Sequence, residues 1–160
     1  MMVLGLDPGS LKFGLGVLSS RGGKVSRVHS ETVSLPRGDL MDRMSRLWER
    51  LDRFLAETSV DCAAMEEGFL GKNVHSMSVL ALARGVALGA LISHRIPVVF
   101  YSPRQIKQAL TGYGNASKEQ VQSMALRLLG GGPLGPDEAD ALAAAFCRCL
   151  DRSQLPAGGA

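Results

Sequence analysis

The chain has 160 residues, of which 46% are hydrophobic, and its formal net charge is +3 at pH 7. This length gives one domain with a substantial core and excludes two ordinary domains. No apolar run reaches the ~18 residues of a membrane span, and the N-terminus has no signal-peptide pattern, so we expect a cytoplasmic protein without a membrane segment. We assign residues 1–150 to a single domain and expect the Pro/Gly-containing tail, residues 151–160, to be disordered.

Three strands are predicted at the start of the chain. The first, Met2 to Leu6, stops at Asp7 because the Pro-Gly turn behind it ends the hydrogen-bonded ladder. Phe13 to Leu18 forms the second strand. After a Gly-rich turn, a third strand in the same meander is indicated by Val25, Val28 and Val33.

A helix and a buried strand follow the meander. Apolar residues recur with helical spacing from Leu40 to Leu55, and Asp39 is a good N-cap for this helix. Val60 to Met65 is then predicted to be a strand that ends at Glu66.

The next predicted helix, Val74 to Ser93, is apolar over much of its circumference. Small residues form one stripe along it: Ala81, Gly85 and Gly89. Such a helix either lies within the core or pairs with another copy of itself.

The last third of the chain is predicted to be one strand and three helices. After the strand Ile96 to Tyr101, Ser102 and Pro103 begin a helix, since Ser caps well and Pro suits the first helical position. Ser117 and Gln120 have capping-box spacing at the start of the next helix. After a loop from Gly130 to Pro136, the final helix runs from Asp137 to Leu150.

This order of elements predicts an α/β protein with a mixed sheet that is covered on both faces. If the first strand pairs in parallel with the fourth, Asp7 and Glu66 end neighbouring strands at the carboxyl edge, about 4.8 Å apart. Asp137 and Asp140 project together from the first turn of the last helix. Carboxylate oxygens favour Mg²⁺ or Mn²⁺ over zinc, so the four acids predict a divalent-metal site.

The charges are unevenly distributed. No Asp or Glu occurs between Glu67 and Glu119, whereas six basic residues lie in that span: Lys72, Arg84, Arg95, Arg104, Lys107 and Lys118. A stretch of one sign suggests a face for a polyanion such as nucleic acid. An ordinary solvated surface explains the charges equally well.

Several motifs, in order, resemble the RuvC family of Holliday-junction resolvases, from Val3 to about Leu150. They begin at Leu4 (LGLDPGS), Met65 (MEEGF), Ala83 (ARGVA), Arg104 (RQIKQ), Lys118 (KEQV) and Asp137 (DEADAL). The resemblance implies an RNase H-like fold with a five-stranded mixed sheet and helices on both faces. It also implies a homodimer that makes paired, symmetric nicks with 5′-phosphate ends at four-way DNA junctions in recombination and repair. Cooperation with the branch-migration proteins RuvA and RuvB is expected from the family.

The resemblance also implies roles for individual residues. The matched acids, Asp7, Glu66, Asp137 and Asp140, are expected to be catalytic and to bind two Mg²⁺ ions, for which Mn²⁺ would substitute. Lys107 and Lys118 match basic residues near the scissile phosphate and are expected to be catalytic and to contact DNA. Further DNA contacts are expected from Phe69, Lys72, Arg84 and Arg104.

Two neighbouring acids make the assignment ambiguous from the residues alone. Strand alternation sends Glu66 and Glu67 to opposite faces, and only the resemblance selects Glu66. Glu138 follows Asp137 directly, and we expect Glu138 to face the solvent.

Other functions fit parts of the pattern. The turn at Asp7 also resembles the first phosphate loop of actin-like ATPases and sugar kinases, although those proteins need two such lobes and this chain has one. A junction-binding module without catalysis, or an RNase H-like nuclease for another branched or hybrid substrate, remains open because the acids alone do not specify a substrate.

Overall fold

A computed structural model describes residues 1–68, 74–129 and 132–151. Phe69, Lys72 and the tail from residue 152 onward, for which we made predictions, lie outside the described residues. Within them, no helix is long and apolar enough to cross a membrane.

The described elements follow the predicted order. The strands are β1 Met2–Asp7, β2 Lys12–Arg21, β3 Lys24–Ser34, β4 Cys62–Glu66 and β5 Val98–Tyr101. The helices are α1 Leu40–Glu57, α2 Val74–Ser93, α3 Pro103–Thr111, α4 Lys118–Leu129 and α5 Pro136–Leu150. The last helix begins one residue earlier than predicted, because Pro136 takes its first position.

The strands form one mixed sheet in the order β3-β2-β1-β4-β5, which confirms the predicted architecture. The meander β1-β2-β3 is antiparallel, whereas β4 pairs in parallel with β1 and with β5. The β1-β4 register aligns Leu6 with Met65. The next residues, Asp7 and Glu66, therefore leave adjacent strands at the same carboxyl edge.

One face of the sheet is covered by α1 and α2. Asp39 caps α1 through hydrogen bonds that its carboxylate accepts from the amides of Met41 and Asp42. The inward face of α1 includes Leu47 and Leu51, both almost completely buried. Burial of each leucine contributes about 1.5–3 kcal/mol, so the amphipathic pattern of α1 is a main source of cohesion on this side.

The opposite face is covered by α3, α4 and α5, with α5 lying directly on β1 and β2. Glycines on these strands permit the close approach. A Cβ atom on Gly5 would lie 1.8 Å from the Ala141 carbonyl oxygen, and one on Gly14 would lie 2.1 Å from that of Asp137. Because no other residue type fits there without moving the helix, these glycines fix the position of α5 and of the acids in its first turn.

The two helices after β5 begin as predicted. Ser102 and Gln105 form a reciprocal capping box at α3, where Pro103 is the first helical residue. At α4, the Gln120 amide donates to the Ser117 hydroxyl, and the Gln120 side chain accepts from the Ser117 amide. These caps determine where Lys107 and Lys118 stand relative to the sheet edge.

Candidate active site

Three of the four predicted acids share one cavity at the carboxyl edge of the sheet. Asp7, Glu66 and Asp140 line a cavity of about 340 Å³. The other lining residues are Pro103, Ile106, Lys107, Lys118, Val121 and Ala143. Strand ends thus supply two carboxylates, α5 supplies the third, and α3 and α4 each supply one lysine.

Side-chain alternation explains why Glu66, and not Glu67, enters this cavity. Ala64, two residues before Glu66, belongs to the core beneath α5, whereas Met65 belongs to the core on the opposite face. Since alternate residues of a strand share a face, Glu66 points toward α5 and lines the cavity, whereas Glu67 does not, although both side chains are exposed. The structure therefore separates the two acids that the residues alone left ambiguous.

The fourth acid, Asp137, lies beside the cavity rather than in its lining. It precedes Asp140 by three residues and so projects from nearly the same side of α5. Its carbonyl packs against Gly14, which pairs with Asp7 in the β1-β2 ladder. The negative charge of Asp137 acts on Asp7, so all four acids belong to one electrostatic cluster.

Burial and mutual repulsion disfavour ionisation of the strand-end acids. Burial, followed by the charges of Asp140 and Asp137, raises the pKa of Asp7 to about 7. Burial, followed by the charge of Asp140, also raises the pKa of Glu66, although Arg84 acts in the opposite direction. Asp7 and Asp140 are partly buried, and carboxylates that repel one another in such a place are stabilised by a cation. Oxygen donors of this kind suit Mg²⁺.

A lysine already supplies part of the missing positive charge. The Lys118 ammonium lies 2.9 Å from a carboxylate oxygen of Asp140, and this contact raises the pKa of Lys118. With the side chains in this arrangement, no three His, Cys, Asp or Glu groups of the described residues are close enough together to hold a metal ion. A divalent cation on Asp140 would therefore compete with an ammonium that is 62% exposed, a contact worth about 1 kcal/mol or less.

Two other predicted DNA-contact residues do not line the cavity that contains the acids. Arg104 lines a separate groove of about 490 Å³ between α3 and the end of α5. The Arg84 guanidinium donates a hydrogen bond of 2.6 Å to the Glu66 carbonyl and lies over the ring of Phe100. Arg84 is thus engaged with the protein beside the cavity, a contact that its charge alone did not indicate.

The expectation that Glu138 faces the solvent holds only in part, because its side chain is half-buried. Its carboxylate accepts a hydrogen bond of 2.7 Å from the Ser30 hydroxyl, and the contact is partly buried. Ser30 pairs with Gly16 in the β2-β3 ladder and lies on the face that α5 covers. Because the glycines let the start of α5 come so close to the sheet, Glu138 contacts β3 and is only partly exposed to solvent.

Comparisons with known proteins agree with this geometry. Residues 3–148 match the family model described as "Crossover junction endodeoxyribonuclease RuvC". The protein of that name from Burkholderia ambifaria is 39% identical over 100% of this chain and 88% of its own length. Its counterpart from Oleidesulfovibrio alaskensis is 43% identical over 91% of this chain and 88% of its own.

A solved structure gives the same result. The RuvC of Thermus thermophilus in complex with a Holliday junction substrate superposes with a TM-score of 0.87 at 34% identity, covering 94% of this chain and 93% of that protein. The similarity thus includes the mixed sheet of the RNase H-like fold and the helices that carry the acids and lysines. The chain belongs to the RuvC family of crossover junction endodeoxyribonucleases.

Proposed function

We propose that this protein is a Holliday-junction resolvase, a metal-dependent endonuclease that makes paired, symmetric nicks in four-way DNA junctions during recombination and repair. The observation that carries the proposal is the convergence of Asp7, Glu66 and Asp140 in one cavity beside Lys107 and Lys118. The support from relatives is specific, since the Thermus thermophilus RuvC is described with a Holliday junction substrate.

The acid cluster has the donor chemistry of a magnesium site. Asp7, Glu66 and Asp140 offer oxygen ligands from three separate elements, and Asp137 stands one turn from Asp140. When bound, two Mg²⁺ ions would supply an activated water and a counter-charge for the departing 3′ oxygen. The strand ends and the helix packed on the glycines fix the backbones of these acids before the substrate arrives, so that only their side chains remain to be ordered around a cation.

The two lysines complete the polar lining of the cavity. Both reach it from helices whose starts are fixed by capping boxes, so their positions relative to the acids are well defined. An ammonium there neutralises charge that develops on the scissile phosphate. Lys118 has a second task, because it balances Asp140 whenever no other cation does so.

We further propose that the active unit is a dimer formed through α2. Ala81 and Gly85 of the small-residue stripe are exposed, and a Cβ atom on Gly85 would meet nothing within 4 Å. Leu82 beside them is 48% exposed. Gly89, the third residue of the stripe, packs against Trp48 of α1, so the stripe is available to a partner only at Ala81 and Gly85.

A two-fold dimer presents two identical cavities to a junction that is itself nearly two-fold symmetric. The symmetry of the dimer is then sufficient to produce paired cuts. Phe69, Lys72 and Arg104 remain predicted DNA contacts, and the cooperation with RuvA and RuvB remains an expectation from the family.

The experiment that tests the function compares three labelled substrates: a four-way junction, a linear duplex and an RNA/DNA hybrid. Each is incubated with the protein in Mg²⁺ and in EDTA, alongside Asp7→Asn. We expect symmetric nicks with 5′-phosphate ends on the junction alone, only in Mg²⁺. Asp7→Asn is expected to bind the junction and cut at least 100-fold more slowly, on the order expected for loss of a catalytic metal ligand.

A matched pair of variants serves as the control. Glu66→Gln is expected to abolish cutting, whereas Glu67→Gln, one residue further and on the other face, is expected to cut like the native protein. Junction binding without any cutting by the native protein would point to a binding module. Cutting of the RNA/DNA hybrid instead of the junction would agree with the fold but show that the proposed substrate is wrong.

A further inference from the structure

Arg84, near the middle of α2, reaches the carboxyl end of β4. Its guanidinium donates a hydrogen bond of 2.6 Å to the backbone carbonyl of Glu66, the last residue of that strand. The β1-β4 ladder ends one residue earlier, at the pair of Leu6 and Met65. Arg84 therefore satisfies a carbonyl at the position where the strand stops and its regular hydrogen bonding to β1 ends.

Two further contacts hold the guanidinium in place. It lies 5.9 Å from the ring centroid of Phe100, on the neighbouring strand β5. It also lies next to Gly68, where a Cβ atom would be 3.6 Å from the guanidinium carbon. The planar cation is thus packed between an aromatic ring and the backbone that follows Glu66, which restricts its own movement as well.

The direction of the Glu66 side chain depends on its backbone, which is held from two sides. Glu66 pairs with Tyr101 of β5, and the next amide, that of Glu67, donates a hydrogen bond of 2.8 Å to the Tyr101 carbonyl. On the side where the pairing with β1 has ended, Arg84 holds the carbonyl of the same peptide. A fixed carbonyl fixes the peptide plane and, through it, the direction of the carboxylate that lines the cavity. From these contacts we infer that Arg84 is a positioning residue, which holds the Glu66 backbone so that its carboxylate faces Asp7 and Asp140. The inference rests on the proposed function, in which Glu66 is a metal ligand.

A direct contact with DNA phosphate is the competing role, and the basic stretch of the sequence predicted it. The two roles differ in what they change. A phosphate contact contributes to junction affinity and to its dependence on salt. A positioning residue contributes to metal affinity and to the rate of the chemical step, and leaves the affinity for the junction nearly as it was.

The test compares Arg84→Ala and Arg84→Lys with Arg53→Ala, which removes an exposed arginine of the neighbouring helix α1 that does not line the cavity. Junction binding is measured in EDTA at several salt concentrations. Binding of Mn²⁺ to the DNA-free protein is followed by electron paramagnetic resonance. Single-turnover nicking is measured with saturating protein in Mg²⁺, and thermal unfolding reports whether each variant is folded.

For Arg84→Ala we expect Mn²⁺ affinity and the nicking rate each to fall about 10- to 100-fold, with junction affinity within about 2-fold of the native value and its salt dependence unchanged. Arg84→Lys is expected to recover part of the rate, because an ammonium can donate to the same carbonyl. Arg53→Ala is expected to match the native protein. Junction affinity that falls as much as the rate, or Mn²⁺ affinity that stays native, would overturn the inference.

A second variant keeps the test decisive if Arg84→Ala unfolds. Phe100→Leu removes the ring beneath the guanidinium while it retains an apolar side chain, and a smaller loss of the same two properties is expected. In the variant that combines Arg84→Ala with Phe100→Leu, the fold-losses of Mn²⁺ affinity and nicking rate should be smaller than the product of the losses in the two single variants, since both changes disturb one contact. Native protein that fails to cut junctions would refute the proposed function, whereas Mn²⁺ binding would still decide the role of Arg84.

Discussion

At Asp7, the acid cluster lowers the stability of the folded protein when the carboxyl ionises. Burial and the neighbouring acids raise its pKa from 3.8 to about 7, so the folded protein binds this proton more tightly than the unfolded chain does. The stability that this carboxyl contributes is therefore present at low pH and is lost as the pH rises from 3.8 to about 7. Above that range, Asp7 destabilises the fold in the absence of a cation.

Asp7→Asn should remove this penalty. In EDTA we expect the variant and the native protein to unfold alike near pH 4, and the variant to be more stable at pH 8, on the order of 1 to 3 kcal/mol. Thermal or urea unfolding across this pH range measures the difference. Added Mg²⁺ should stabilise the native protein at pH 8 more than at pH 5, because at the lower pH the metal must displace a proton.

The exposed Glu67→Gln is the control for this prediction, because it removes a nearby carboxylate that lies outside the cavity. Its stability should follow that of the native protein at every pH. If Asp7→Asn and the native protein instead gave parallel curves between pH 4 and pH 8, the buried charge of Asp7 would not be the source of the pH dependence.

At the scale of elements, the site depends on how closely α5 approaches the sheet. Gly14 leaves room for the Asp137 carbonyl, and a Cβ atom there would be 2.1 Å from that oxygen. The obstruction is backbone, which cannot turn aside as a side chain can. The start of α5 would have to move outward, and both of its acids would move with it.

Gly14→Ala should therefore damage metal binding beyond its effect on stability. We expect a loss of about 1–3 kcal/mol in unfolding free energy, as in other overpacked cores, and at least a 10-fold weaker affinity for Mn²⁺. Urea unfolding and Mn²⁺ titration of the DNA-free protein measure the two effects.

Gly16→Ala provides the matched comparison. Its Cβ atom would mainly meet the Leu142 side chain, 2.7 Å away and further along α5 from the acids. Because a side chain can turn aside, we expect a similar or smaller loss of stability and nearly native Mn²⁺ affinity. If Gly14→Ala and Gly16→Ala lost Mn²⁺ affinity equally, the effect of Gly14 could not be assigned to the position of the first turn of α5.

Much of this arrangement could be predicted from the sequence, for physical reasons. Strand ends, caps and helical periods are local signals, and the predicted N-cap at Ser102 and capping box at Ser117 are confirmed. The contacts of Glu138 with Ser30 and of Arg84 with Glu66 join residues that are 108 and 18 positions apart. Neither follows from local spacing, because each depends on how a helix is placed over the sheet.

At the scale of the whole molecule, α2 connects two features that were predicted from separate sequence patterns. Its exposed stripe, Ala81 and Gly85, is the proposed dimer surface, and Arg84 between them in sequence reaches Glu66. A helix is a stiff element, so a partner subunit that packs against the stripe also restrains the helix from which Arg84 extends. Dimer formation and order at Glu66 are therefore expected to support each other.

Gly85→Glu tests the dimer without disturbing the subunit itself. A side chain at this position meets open space in the subunit, and glycine is a poor helix former, so the variant should fold at least as stably as the native protein. Two like charges brought together across a two-fold axis should make it a monomer in sedimentation at concentrations where the native protein is a dimer. With one cavity per molecule, its two nicks in a junction should become independent events. The fraction of junctions cut on both strands should then fall at least 10-fold, because binding of the second subunit is no longer pre-arranged.

Met41→Glu, which adds the same charge at a 70% exposed position on α1, is the control and should remain dimeric. A dimeric Gly85→Glu would place the interface on another surface, and a native protein that is monomeric yet cuts both strands together would remove the symmetry argument altogether.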